Sequence, residues 1–363
     1  MAKSEEYKLG PNTYPRGWFV IAESNELGET PLAVSYFGRD FALYRGKDSG
    51  NPVLLDAYCG HMGTHLTAST SAVIASDNSH IEGDNIRCPY HGWRYGPDGK
   101  VNDIPYHDGP CPRSSTIQSY PVREIMGCIM MWFDEDGLEP QFEPPMLEEW
   151  NDPSWVHWDL DHLGEIDMHP IEVIDNMADA QHLGPTHGAP CEYFENEFKD
   201  HIIIQRQGGV LASYGCMLMS TTWYTGPGIL LSKQEFGGQE IYEIIANTPV
   251  SDGKIKVWHG ALHKSASAVA TEEDRAIAKE VQVGALAAFA ADFSVWANKR
   301  AATRIIQLKT DGPFNKVRDW YRQFHLEMKD VERHQGANNG KAHVLNMDKP
   351  SEEALALGAH FFE

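Results

Sequence analysis

Between Trp18 and Asp134 the apolar residues come in short bursts separated by turn formers. Examples are Trp18-Phe19-Val20-Ile21-Ala22, Leu32-Ala33-Val34-Ser35-Tyr36-Phe37, Phe41-Ala42-Leu43-Tyr44-Arg45 ahead of the Gly46–Gly50 turn, and Gly127-Cys128-Ile129-Met130-Met131-Trp132-Phe133. Runs of this length, rich in β-branched and aromatic residues, predict strands and so a small antiparallel β domain. The texture changes after Glu135. Residues 135–153 are rich in Pro and Glu (Glu139-Pro140, Glu143-Pro144-Pro145) and read as a linker. Beyond it, residues 170–183 are helical in pattern, 200–262 alternate as an antiparallel sheet does, and 271–300 read as a long helix. That helix opens on Thr271 and Asp274 at capping-box spacing, with Asp in place of the preferred Glu. The expected fold class is α+β, with domains over 1–134 and 154–363 around a linker at 135–153. No internal repeat interrupts this plan.

Composition sharpens the picture in three ways. Hydrophobic residues make up 42% of the 363 positions, enough for a real core, so disorder is not the default. Thirty Lys and Arg against 52 Asp and Glu give a formal charge of −22, which repels phosphate backbones and excludes nucleic acid as the expected partner. The same surface attracts a basic protein partner, or serves solubility alone. No stretch approaches the roughly 20 apolar residues that span a bilayer, and the polar Met1–Leu9 start is no signal peptide. Six cysteines are too few for a disulfide scaffold, and only Cys59 and Cys88 sit in patterned motifs; Cys111, Cys128, Cys191 and Cys216 do not. A reducing cytoplasm is the expected location.

The first chemical constellation is Cys59-Gly60-His61 followed by Cys88-Pro89-Tyr90-His91. Two Cys and two His in paired short spacings chelate metal strongly, and spacing alone leaves zinc and iron both open. Each pair stands at a strand-to-loop transition, after Leu54-Leu55-Asp56-Ala57-Tyr58 and after Ile86-Arg87, and Gly92 follows the second pair. Cys-x-His with Cys-x2-His-Gly resembles the Rieske motif, in which two Cys hold one iron of a 2Fe–2S cluster and two His the other. Respiratory Rieske proteins add a disulfide beside the cluster; Thr64 and Tyr90 stand in those places here. Trp93 replaces a serine whose hydroxyl would stabilise the reduced cluster, which points to a lower potential and the oxygenase type. The spacer between the motifs is long, and Ser69–Ser79 reads as an inserted surface loop.

The second constellation is the string Glu172-Val173-Ile174-Asp175-Asn176-Met177-Ala178-Asp179-Ala180-Gln181-His182-Leu183-Gly184-Pro185-Thr186-His187. Asn176, Asp179 and His182 recur at threes, which predicts one helix face. Gly184-Pro185 is expected to end that helix and let His187 fold back towards His182 from a loop. Two His and a carboxylate form the facial triad of non-haem iron oxygenases. In the later helix Ala285, Ala288, Phe289, Asp292, Val295 and Trp296 fall on one apolar stripe, so Asp292 stands where a core residue belongs. An unpaired carboxylate there would cost several kcal/mol, a cost that a metal removes. The competing reading is an ion pair with Lys299 or Arg300.

Together these blocks resemble Rieske non-haem iron oxygenases. They are closest in pattern to the oxygenase components of 3-ketosteroid 9α-hydroxylases, through residues 56–63, Cys88 to Tyr106, Ile174-Asp175-Asn176, Asp292 with Trp296, Asn298 and Lys299, Asp311-Gly312-Pro313, and Trp320-Tyr321-Arg322-Gln323-Phe324. The likeness fades over residues 190–262. The resemblance implies an N-terminal all-β Rieske domain followed by a helix-grip catalytic domain. It implies a cluster on Cys59, His61, Cys88 and His91, one Fe(II) on His182, His187 and Asp292, and O2 as co-substrate. Electrons would come from NAD(P)H through a separate flavin and iron–sulfur reductase, with or without a ferredoxin between. It further implies head-to-tail homotrimers in which Asp179 links His91 of one subunit to His182 of the next, with Asn176 at the pocket wall. The expected activity is hydroxylation of a bulky alicyclic, steroid-like or aromatic small molecule. O- or N-demethylation, ring dioxygenation and pure electron carriage are the alternatives. A carrier would need only the residues up to about Asp134.

Overall fold

In the computed structural model the described residues are 2–211, 215–308 and 310–343. After a one-turn helix α1 (Ser4–Tyr7), strands β1 (Gly17–Glu23), β2 (Leu32–Tyr36), β3 (Arg39–Arg45) and β4 (Pro52–Asp56) follow closely on the sequence expectation. A short helix α2 (Val73–Ser76) lies in the Ser69–Ser79 insertion. Then come β5 (Ile81–Glu82), β6 (Asn85–Arg87), β7 (Arg94–Tyr95), β8 (Val101–Asp103), β9 (Ser119–Tyr120), β10 (Val122–Ile125) and β11 (Cys128–Phe133). They form three small sheets, ordered β1-β11-β10, β2-β3-β4-β9 and β5-β6-β7-β8. The second and third of these sheets share a core that includes Tyr44, Leu55, Leu66, Ile86 and Tyr95, together with Cys59 and Cys88.

The second unit is a long antiparallel meander. Strands β12 (Trp155–Val156) and β13 (Asp161–Ile166) precede helices α3 (Ile171–Ile174) and α4 (Leu183–His187). Then come β14 (Cys191–Lys199), β15 (Ile202–Leu211), β16 (Cys216–Thr225), β17 (Ile229–Phe236), β18 (Gln239–Ser251) and β19 (Lys254–Lys264). Helices α5 (Glu272–Ala297), α6 (Phe314–Arg322) and α7 (Met328–Asn338) and strand β20 (Gly340–His343) follow. The sheet runs β12-β19-β18-β17-β16-β15-β14-β20, and β13 also pairs with β19. Helix α5 is gripped against it: Phe289 and Trp296 pack with Ile245, Ile255 and Val257. Its N-terminus carries the expected capping box, with the Thr271 hydroxyl accepting the Asp274 N–H at 3.2 Å and an Asp274 carboxylate oxygen accepting the Thr271 N–H at 2.8 Å.

Two expectations about boundaries change. The chain divides into one unit of Trp18–Pro144 and another that gathers the first 17 residues with those from Pro145 onward. The N-terminal segment belongs with the catalytic unit because its polar groups are satisfied there: Ser4 Oγ lies 2.9 Å from His169 Nε2, and Arg16 N–H donates to the Phe324 carbonyl at 2.8 Å. The Pro- and Glu-rich stretch is no free tether either. Its first part stays with the Rieske unit, where Trp18 Nε1–H donates to the Phe142 carbonyl at 2.7 Å and Arg123 forks onto Glu143. Its last part joins the catalytic unit, where Tyr242 donates to Glu149 at 2.7 Å.

Candidate metal centres

The two Cys–His loops have the same backbone geometry. Cys59 N–H donates to the Thr64 carbonyl and Gly63 N–H to the Cys59 carbonyl, both at 2.9 Å; Cys88 N–H donates to Trp93 at 2.8 Å and Gly92 N–H to Cys88 at 2.9 Å. Each loop turns through a glycine at φ +72°, a left-handed conformation in which a side chain would be strained. The cysteines are buried and the histidines half-buried beside them. His61 and His91 rings are 4.8 Å apart, and Trp93 lies parallel to His61 at 4.4 Å. The thiols share a proton: the hydrogen bond from Cys88 holds Cys59 down to about 5 and in turn pushes Cys88 well above the usual thiol range. His61 Nδ1 is buried with no hydrogen-bond partner. An orphaned imidazole nitrogen beside paired thiols fits an iron–sulfur cluster, in which both thiols ionise.

One contributor had not been legible. The Tyr95 hydroxyl accepts the Gly60 N–H at 3.0 Å and lies 3.1 Å from Cys59 Sγ, to which it donates once that sulfur is a thiolate. The absent serine hydroxyl therefore does not leave the sulfurs without a hydroxyl donor. Tyr95 lies in the two-residue strand Arg94–Tyr95 just after Trp93, and both Trp93 and Tyr95 are buried in the core beside Cys59 and Cys88.

The string from Glu172 to His187 departs from the single helix its spacing suggested. Helix α3 tightens into a 3₁₀ turn at Asp175–Ala178, the chain opens at Asp179, and α4 restarts at Leu183 with His182 as its N-cap. Gly184 and Pro185 thus open a helix instead of ending one. Proline is tolerated there because first-turn N–H groups have no intrahelical acceptor. His187 is the last residue of α4, not a loop residue. Ion pairs to two buried carboxylates anchor the broken segment: Arg318 forks onto Asp175 at 2.8 and 2.5 Å, and the exposed Lys299 lies 2.8 Å from Glu172.

Among the described residues His182, His187 and Asp292 form a group whose ligand atoms all lie within 4.8 Å of one another. Asp292 reaches 3.2 Å from His187 Nε2 and 3.7 Å from His182 Nε2. Donors bound to one metal at about 2.1 Å and at right angles stand about 3 Å apart, so the set fits a metal with small adjustments. His182 Nδ1 is 2.5 Å from the Asp179 carbonyl, which it can reach only as a donor, leaving Nε2 as the ligand atom. The Asp179 carboxylate lies 3.8 Å from the same Nδ1 and is partly exposed. Lys299, the rival partner for Asp292, is engaged by Glu172. The helical stripe is imperfect at two positions, since Ala288 and Val295 are both exposed, Val295 by 53%.

This group opens into a cavity of about 650 Å³ that Asn176 also lines. Its two walls differ. Helix α5 contributes the apolar Ile277, Val281, Ala285, Ala288, Phe289 and Trp296, with Glu280 and Asp292 as its charged residues. The sheet contributes a polar belt of two rows. In one, Gln205 stands opposite Thr222, Thr222 opposite Ser232, and Ser232 opposite Glu243; in the other, Gln207 faces Ser220 and Ser220 faces Gln234. Apolar rows flank the belt, Tyr224, Leu230 and Ile245 on one side, Leu218 and Phe236 on the other. Behind Glu243, the buried His259 lies 2.9 Å from its carboxylate and 2.9 Å from that of Asp161. Burial pushes the imidazole down, but the two carboxylates outweigh it and hold His259 above its ordinary value.

An all-β unit with a Cys2His2 loop pair, joined to a helix-grip unit with a 2-His-1-carboxylate group, defines a Rieske-type non-haem iron oxygenase. Comparison with known proteins agrees. Residues 17–121 match the Rieske [2Fe-2S] domain, and residues 131–325 match the 3-Ketosteroid 9alpha-hydroxylase C-terminal domain. The chain belongs to that family, and it is the terminal oxygenase component of a Rieske system, with monooxygenase relatives. A probable 3-ketosteroid-9-alpha-monooxygenase oxygenase component of Rhodococcus rhodochrous is 29% identical over 340 residues, covering 88% of this chain and 82% of the relative. Cholesterol 7-desaturase nvd 1 of Ciona intestinalis is 27% identical, covering 87% and 70%. Among solved structures, NdmA of Pseudomonas putida CBB5 shares the fold at a TM-score of 0.66 and 16% identity, covering 95% and 99%. No helix among the described residues is long and apolar enough to cross a membrane.

Proposed function

We propose that this oxygenase hydroxylates a bulky alicyclic, steroid-like small molecule with O2. The observation carrying the proposal is the His182, His187 and Asp292 group set in the wall of a 650 Å³ cavity, a volume suited to a multi-ring substrate. Steroid relatives support the substrate class. On this reading Cys59, His61, Cys88 and His91 hold a 2Fe–2S cluster, and His182, His187 and Asp292 hold one Fe(II). When bound, these groups supply single-electron delivery and oxygen activation. The residues around them supply order. Asp179 fixes the His182 tautomer through its carbonyl. Asp292 supplies the carboxylate that stands beside the two imidazoles. The α5 wall keeps water from the reacting carbon, and Asn176 contributes a hydrogen-bonding group at the cavity edge.

Electrons come from NAD(P)H through a separate reductase, to which the −22 charge offers a complementary surface. The partly exposed Asp179 carboxylate is the proposed link to His91 of a neighbouring subunit in a head-to-tail trimer. The deciding experiment incubates the iron-loaded oxygenase and a reductase with steroid, aromatic and N- or O-methyl compounds. Products are followed by mass spectrometry under 18O2. A steroid gaining one labelled oxygen is the expected result. Exclusive demethylation, or insertion of two oxygens into an arene, would replace the reading.

A further inference from the structure

The polar belt is in an unusual place. Alternation along a strand normally sends polar residues to solvent, yet here the cavity receives Thr222, Ser232 and Glu243 in one row and Ser220 and Gln234 in the other, all on strands whose flanking rows are apolar. Ser220, Thr222, Ser232 and Glu243 are each more than nine-tenths buried. Buried polar groups are destabilising unless they find partners. The belt satisfies itself only in part. Thr222 and Ser232 hydroxyls share one hydrogen bond of 2.7 Å, and Gln234 donates to Glu243 at 2.6 Å. Ser220 Oγ has no partner. From Gln205 on β15 to Glu243 on β18 the row crosses three strand spacings, about 14 Å, which is the scale of a fused ring system.

Glu243 is built as a fixed acceptor. One oxygen is held by His259, itself held by Asp161, and the other takes the Gln234 amide, so the carboxylate cannot turn away from the cavity. Each carboxylate oxygen keeps capacity for a further hydrogen bond. The natural complement is a hydroxyl, which donates; a ketone oxygen at that position would meet another acceptor. Opposite, six α5 residues offer hydrocarbon and aromatic surface, and the polar groups of that helix in the lining are the exposed Glu280 and Asp292 of the metal-binding group.

We infer that the substrate is facially amphipathic: a rigid alicyclic ring system carrying hydroxyl groups along one face, laid on the belt, with its bare face against α5. This rests on the steroid-like reading of the cavity and narrows it from ring size to the placement of polar groups. It makes Ser220, Thr222 and Glu243 specificity-determining residues. A site that hydrogen-bonds a hydroxyl discriminates strongly against the analogue lacking it, because its own groups are then left unpaired.

The test uses the full-length, metal-loaded protein and two neutral probes on one skeleton. Methyl cholate bears hydroxyls along one face, and methyl lithocholate lacks two of them. Calorimetry should give at least tenfold tighter binding of methyl cholate. Ser220→Ala and Thr222→Val should each reduce that preference by threefold or more, chiefly through weaker binding of methyl cholate. Glu243→Gln, which keeps the shape and an acceptor oxygen, should reduce it further. Thermal melts of the variants separate lost recognition from lost folding, and Ser220→Ala, which removes an unpartnered hydroxyl, should not lower the melting temperature. If methyl lithocholate binds as tightly, or the preference survives all three substitutions, the amphipathic inference falls while the alicyclic reading stands. If neither steroid binds, whether or not phenanthrene does, both fall.

Discussion

The two candidate metal centres are assembled in opposite ways. The Rieske loops hold their four residues in two short motifs, each closed by the same backbone hydrogen bonds, and the surrounding core is built around the cysteines themselves. The catalytic group draws two histidines from a broken helix and its carboxylate from α5, far along the chain, and is held by ion pairs that lie behind it. The first site is a local structure that a fold encloses. The second exists only where the fold brings distant segments together. Damage to the first should therefore stay local, while the second should separate sharply into ligands and supports.

The largest expected effect is Cys88→Ser. It should remove the Rieske absorption and two iron atoms per chain, abolishing turnover, while the catalytic unit melts as before. A wild-type visible spectrum would break the ligand assignment. Asp292→Ala should strip the mononuclear iron with the Rieske spectrum intact. Its counterpart Asp175→Ala, which leaves Arg318 without its buried partner, should instead cost about 3–5 kcal/mol of stability. Metal analysis and a melt on the same samples compare them. Retention of iron in Asp292→Ala would move the third ligand elsewhere.

Asp179→Asn keeps the backbone carbonyl that orients His182, so iron should stay near full occupancy while rapid-mixing kinetics lose the cluster-to-iron electron step. Normal electron transfer would refute the link between subunits. A smaller effect is expected of Tyr95→Phe, which removes the hydroxyl directed at Cys59. Loss of about 1 kcal/mol of preference for the reduced cluster corresponds to roughly 40 mV in a one-electron couple, so the potential should fall by that order. An unchanged potential by protein-film voltammetry would show that the contact is structural.

The smallest effect is in pH dependence, where the catalytic unit should be limited from both sides. Burial holds His325 down to about 4, so the folded state binds fewer protons than the unfolded chain, and stability is lost as pH falls from about 6.5 towards 4. His259 is shifted the other way. Its contribution is complete below about 6.5 and is lost as pH rises through its raised value. Neither histidine by itself should contribute more than about 1.4 kcal/mol per pH unit, and His169, also held down by burial, adds to the acid limb. His259→Gln should flatten the alkaline limb alone; an unchanged limb would discount the paired carboxylates as its cause.

Much of this architecture was legible because local pattern and tertiary structure agree. The bursts at 18–22, 32–37 and 41–45 became strands because their apolar residues are packed in the small β unit. Thr271 and Asp274 capped α5 because capping is a local event. The helix phase that singled out Asp292 was readable for the same reason. The break at Asp179 was not, because it is stabilised by Arg318 and Lys299, residues far outside any local window. The polar belt was hidden more deeply. Gln205, Thr222, Ser232 and Glu243 alternate with apolar neighbours as solvent-facing residues do, and period alone cannot say which face is covered. Tyr95 lies outside the Cys-x2-His-Gly motif, two positions beyond the Trp93 that replaces the serine, so the motif itself does not point to it.

The matched pair of glycine-turned loops bears on the speed of electron flow. Each cysteine is clamped through its own N–H and C=O, so the main chain that carries each sulfur is fixed and one side-chain torsion is left to place it. A charge change at such a frame demands little movement of the surrounding dipoles, which keeps the reorganisation energy small in both directions. His61 and His91 stand half-buried beside this frame. A relay that must receive and release one electron twice in each catalytic cycle is best made stiff, and these two turns are the stiff part.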